Sequence, residues 1–162
     1  MNNTTKLKII LEIIWWIVTC FVAALILFPI LKTFDHYPFL NINIVFIIVF
    51  ITWARYIFLL KHTFLAKMIW LKAILIAASI PLVFILVGGI HEFQVFLDEK
   101  GPEILFSEEY VKEPLSGSKE LRLYAFLRKE TLFFGVGSVI TAIIFPFRML
   151  ISIWRQINRG TV

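Results

Sequence analysis

Glu12, Arg55, Lys72 and Arg148 each interrupt a stretch of sequence that is otherwise apolar. A carboxylate set among guanidinium and ammonium groups can do three kinds of work. It can form a structural ion pair, leave the cations to hold an anion such as a lipid headgroup, or act as a base. Two further groupings place a histidine next to a carboxylate, Asp35-His36 and His91-Glu92. Those residue types can bind zinc, but no HExxH or other fixed ligand spacing joins them, so they remain weak candidates and no metal or cofactor is expected. His62 falls on the opposite side of the chain's layout and cannot join them. There is no GxSxG elbow, no phosphate-binding Walker loop and no Gly-rich dinucleotide motif, so no catalytic set is read. Cys20 is the only cysteine, which excludes an internal disulfide, a CxxC pair and a cysteine-built zinc site. It is expected to pack as a small apolar residue.

The elements that carry these residues are hydrophobic to an unusual degree. Of the 162 residues, 60% are hydrophobic and 17% charged, with a mean hydropathy of +0.88. Soluble domains are nearer half apolar and about a quarter charged, so the excess apolar surface calls for a bilayer as solvent. A net charge of +5 would point to nucleic acid in a soluble protein. Here the basic residues border hydrophobic runs, which indicates topology and contact with anionic lipid instead, with no nucleic-acid partner.

Four apolar runs cover residues 9–31, 39–60, 68–90 and 131–153. Each is long enough, at roughly 33 Å of helix, to cross a hydrocarbon core of about 30 Å. Their apolar residues are continuous rather than alternating, which favours helices over barrel strands. The expected fold is therefore an all-α membrane protein, a bundle of four transmembrane helices forming a single integral membrane domain over residues 1–162. The first run is too long for a signal-peptide core and no A-x-A-like site follows it, so it is read as uncleaved.

Orientation follows from the flanks. Residues 1–8, 61–67 and 154–162 hold six basic residues and no acid: Lys6, Lys8, Lys61, Lys67, Arg155 and Arg159. Residues 32–38 and 91–130 hold seven basic residues and ten acids in nearly twice the length. The positive-inside rule then places both termini in the cytoplasm and the 91–130 loop outside.

In that layout Glu12, Arg55, Lys72 and Arg148 all fall within roughly 5 to 8 Å of the cytoplasmic boundary at 1.5 Å per residue. Their cost is relieved by snorkelling or by pairing of Glu12 with Arg55, and a cationic site lined by Arg55, Lys72 and Arg148 is the functional alternative. Thr19, Ser79 and Thr141 lie two helical turns deeper on the same faces as Glu12, Lys72 and Arg148. Beyond them the helices are nearly dry, which leaves a single copy without a polar path through the midplane. Trp15, Trp16, Trp53, Trp70 and Trp154 cluster toward the cytoplasmic ends, as an interfacial belt requires.

The outer loop is expected to begin as a continuation of the third helix, stopped by Gly101-Pro102. A short helix starting at Ser107 and ended by Pro114 should follow, then a helix capped by Ser118 that runs into the fourth span. Leu121, Leu123, Tyr124, Phe126 and Leu127 are expected to rest on the bilayer or on a partner. Gly135, Gly137 and Ser138 in the fourth span, with Gly88 and Gly89 in the third, mark a close helix approach. Pro29, Pro81 and Pro146 can kink or end their helices.

The leading functional expectation is a non-enzymatic four-span protein of a bacterial cytoplasmic membrane. It would act as a subunit or accessory of a larger assembly, with other membrane subunits or copies of itself as partners. A small transporter or pore that gains its pathway by oligomerising is the second reading. The third is a membrane enzyme acting on lipid with Glu12 as base, for which no nucleophile partner is found.

Overall fold

The computed structural model describes residues 3–158. Arg159, and the side chain of Lys8, lie outside the described residues. Four long helices account for nearly all of the chain: α1 (Asn3–Thr33), α2 (Leu40–Leu59), α3 (Ile69–Lys100) and α4 (Gly117–Asn158). Each is long and apolar enough to cross a membrane. Among the described residues there is no sheet, only one isolated antiparallel bridge between Phe34 and Val111. Together these features are those of an all-helical multi-pass membrane protein.

Helix α4 is the organising element. It packs along both α2 and α3, which touch each other only slightly, while α1 lies mainly on α2. The four helices are thus layered in the order α1, α2, α4, α3. Close packing within the layer depends on missing side chains. A Cβ on Gly135 would stand 2.9 Å from Ile90 Cγ1, and one on Gly137 would stand 2.9 Å from two carbons of the Phe50 ring. The expected approach of the third and fourth spans is therefore present at Gly135. Gly89, by contrast, faces Ile42 and Phe46 of α2, and Gly88 has open space around it. Pro29, Pro81 and Pro146 all lie inside helices that continue through them.

Two apolar cores are stacked along the helices. At the end opposite the start of α1, here the distal end, Leu27, Ile30, Phe34, Phe39, Phe93 and Leu127 pack together. Phe39 meets Phe93 edge-on, with ring centroids 5.2 Å apart, a favoured aromatic geometry. Toward the proximal end, Phe46, Trp53, Leu60, Leu86, Phe145 and Met149 form the second core.

The α3–α4 connection differs from expectation in two parts: the short helix after Ser107, and the start of α4, where Ser116 O accepts from Lys119 N and Ser118 lies inside the helix rather than capping it. Helix α3 does stop at Gly101, whose φ of 77° lies in the left-handed region that glycine tolerates. Helix α4 does run unbroken from Gly117. The short helix expected after Ser107 is not formed; a 3-10 segment, Pro102–Phe106, precedes it instead. The backbone beyond Ser107 is committed elsewhere. Tyr110 O accepts from Asp35 N at 2.8 Å and Thr33 O accepts from Lys112 N at 3.0 Å, so this segment is laced to the α1–α2 connection. The apolar residues at the start of α4 also largely serve the chain itself. Leu127 is fully buried, Leu123 and Phe126 pack on the distal core, Tyr124 is half-buried, and only Leu121 is exposed.

Candidate functional site

At the proximal end, α1 and α2 are joined by an ion pair. Glu12 lies early in α1 and Arg55 in the last turns of α2, so antiparallel packing brings them to one level. Arg55 Nη1 donates to Glu12 Oε1 at 2.9 Å and Nη2 donates to Oε2 at 2.6 Å. This is the planar two-pronged match of guanidinium to carboxylate. The Tyr56 hydroxyl also donates to Oε1, at 2.9 Å. The Trp15 ring lies one turn beyond Glu12, and its centroid is 5.4 Å from the guanidinium carbon, within cation–π range. Both oxygens of Glu12 accept from donors on α2, so this carboxylate ties α1 to α2.

Lys72 and Arg148 do not join that pair. The sequence places three cations at the level of Glu12, and the structure divides them. Lys72 begins α3, fully buried, and its Nζ donates to Ala66 O at 2.7 Å, Gln156 Oε1 at 3.0 Å and Ser152 Oγ at 3.1 Å. All three ammonium hydrogens are used, and every acceptor is neutral. Arg148 Nε donates to Ile57 O at 3.0 Å. Gln156 Nε2 in turn donates to Lys67 O. These bonds bind the α2–α3 connection, with its short turns Leu60–His62 and Phe64–Ala66, onto the last turns of α4.

A third polar group, at the distal end, joins residues that no charge pattern in the sequence links. Glu130 is buried, and its Oε2 accepts from Asn43 Nδ2 at 3.0 Å and Thr131 Oγ1 at 3.3 Å. The Thr131 hydroxyl also lies 3.2 Å from Asn43 Oδ1. Glu130 Oε1 and the Tyr37 hydroxyl are buried beside this cluster without hydrogen-bond partners. Burial first, and the Glu130 carboxylate second, push the Tyr37 phenol well above its ordinary range. An asparagine early in α2 and a carboxylate just before the apolar stretch of α4 were the available clues.

The histidine–carboxylate candidates remain apart. Asp35 and His36 approach each other to 3.6 Å with both side chains largely exposed. His91 and Glu92 lie exposed on α3. Among the described residues no three histidine, cysteine, aspartate or glutamate side chains are grouped to hold a metal.

The deeper hydroxyls do not form a relay. Thr19, Ser79 and Thr141 are buried, but each donates to a carbonyl of its own helix: Trp15 O, Ile76 O, and Gly137 O with Ser138 O. Such back-bonding satisfies the hydroxyl locally. The tryptophans split as well. Trp16, Trp70 and Trp154 are exposed as a belt requires, whereas Trp53 is buried against Phe145. Cys20 faces outward from α1. No protein-family model, no curated protein and no solved structure matches this chain.

Proposed function

We propose that this chain is a non-enzymatic four-span protein of a cytoplasmic membrane that works as a subunit or accessory of a larger membrane assembly. The observation that carries the reading is the placement of α1. This helix packs mainly on α2 and presents Ile10, Ile13, Ile17, Phe21, Leu25 and Phe28 outward along its whole length. Such a face, at the edge of a layer rather than within a closed ring, suits a helix of another membrane subunit, or lipid where no subunit lies.

The polar groups support the same reading. Glu12, Arg55, Lys72, Asn43 and Glu130 are spent on tying helices and connections together. Between the proximal and distal groups lie the stacked apolar cores, and among the described residues no run of polar side chains joins one to the other.

Purification of the full chain from its native membrane in a mild detergent tests this directly. A second membrane polypeptide should co-migrate with it and cross-link to a photoreactive residue introduced at Ile17 or Phe21. Recovery as a lone monomer, with no cross-link along α1, would rule the subunit reading out.

A further inference from the structure

The proximal end of α4 carries a concentration of positive charge that the helix packing does not use. An open cleft of about 340 Å³ lies between the α2–α3 connection and the last turns of α4, bordered by Lys61, Lys67, Arg148, Arg155, Ser152 and Gln156. With Leu60 and Ala66 completing the wall, four of its eight residues are cations and none is an acid. Among the described residues, the sole ion pair in which a lysine or arginine takes part is Arg55 with Glu12.

The charge behind the cleft wall is equally uncompensated. Ser152, Gln156 and Ala66 border the cleft, and each supplies an acceptor to buried Lys72. Arg148 lies on the same wall of α4, one helical turn from Ser152. A buried cation held only by neutral acceptors, with a second cation beside it, leaves a site of strong positive potential that a bound anion would relieve. Arg148 is anchored by its Nε on Ile57 O, and its two terminal nitrogens make no hydrogen bond among the described residues. The fork of the guanidinium is therefore held in place with its outer donors available, the geometry that suits a phosphate group.

We propose that this cleft binds a phosphate-bearing anion, either the headgroup of an acidic phospholipid or a soluble phosphate. The positive-inside rule accounts for basic residues on this side of the protein, but not for their convergence on one concave wall backed by a buried lysine. The site differs from the sequence expectation: Arg55 is withdrawn into its pair with Glu12, and Lys61, Lys67 and Arg155 take its place. It does not depend on the subunit reading above.

The test uses the full chain in a neutral detergent. Retention of phosphatidylglycerol and of phosphatidylcholine is compared by native mass spectrometry, and millimolar inorganic phosphate is titrated separately while thermal stability is followed. The variant Lys67→Gln/Arg155→Gln removes two exposed cations of the cleft. Arg122→Gln/Lys129→Gln removes two exposed cations at the other end and controls for net charge. Preference for phosphatidylglycerol should fall roughly tenfold or more in the first variant, at about 1 kcal/mol for each basic residue lost, and hold in the second. A lipid preference that phosphate does not compete away identifies the headgroup as the source. Stabilisation by phosphate alone, lost in the same variant, identifies a soluble phosphate. The proposal is overturned if neither lipid preference nor phosphate stabilisation is seen, or if both double variants behave alike.

Discussion

Glu12 and Arg55, 43 positions apart in sequence, meet through two hydrogen bonds of 2.6 and 2.9 Å with their side chains only 11% and 6% exposed. In a soluble protein the desolvation of such a pair can cancel its attraction. In a helix that lies against lipid the alternative is worse, since the unfolded partner of either charge would have to be carried in hydrocarbon or lifted to the interface. The pair therefore sets the register of α1 on α2 at the proximal end, as Leu27, Ile30 and Phe34 do in the distal core.

Removing one member leaves the other buried and unmatched. Glu12→Gln should lower the stability of the detergent-solubilised protein by about 3 to 5 kcal/mol. Lys6→Gln, which alters an exposed charge in the same helix, should change it little. Thermal melts of the two variants compare these directly, and equal melting temperatures would show that the pair does not hold α1 in place.

The α3–α4 contact makes a second, positional prediction. Gly135→Val would place a Cβ only 2.9 Å from Ile90 Cγ1. Overpacking of this kind costs about 1 to 3 kcal/mol. Gly88→Val, where nothing lies within 4 Å, should be tolerated. A larger loss at Gly88 than at Gly135 in parallel melts would contradict the assigned faces of α3 and α4.

The distal cluster predicts an order of effects rather than a single loss. Asn43→Ala removes the amide that donates to Glu130 Oε2 and should cost about 1 to 3 kcal/mol, the range for a buried group left short of a partner. Glu130→Gln keeps an acceptor for Asn43 and Thr131 and removes the demand for a buried charge, so it should be the milder of the two. Unfolding in a graded denaturing detergent ranks them, and the reverse order would show that Glu130 is held by something other than these hydrogen bonds.

How much of this could be read in advance depended on the kind of partner involved. The four long apolar helices were legible because runs such as residues 68–90, where Lys72 is the sole charge, are otherwise apolar around the helix. The Glu12–Arg55 contact was legible because opposite charges at one depth in lipid have few other resolutions. The partners of Lys72 were not, since Ala66 O, Ser152 and Gln156 carry no charge that would set them apart in the sequence. Glu130 was hidden for a different reason: it stands at the end of a charged loop, and its burial follows from α4 continuing outward beyond the apolar run. The segment after Ser107 has residues that permit a helix, but pairing of Tyr110 with Asp35 settled its backbone. That choice is tertiary and left no local mark.

Four crossings should set His62 and Lys67 on the cytoplasmic side and His36 and Lys119 on the other. Because Cys20 is the only cysteine, a Cys20→Ala background gives a clean frame for single-cysteine labelling in intact cells. With a membrane-impermeant maleimide, His36→Cys and Lys119→Cys should label at once, and His62→Cys and Lys67→Cys only after the membrane is opened. Labelling of His62→Cys or Lys67→Cys in intact cells alongside His36→Cys would contradict the four-span arrangement and the inner placement of the basic cleft.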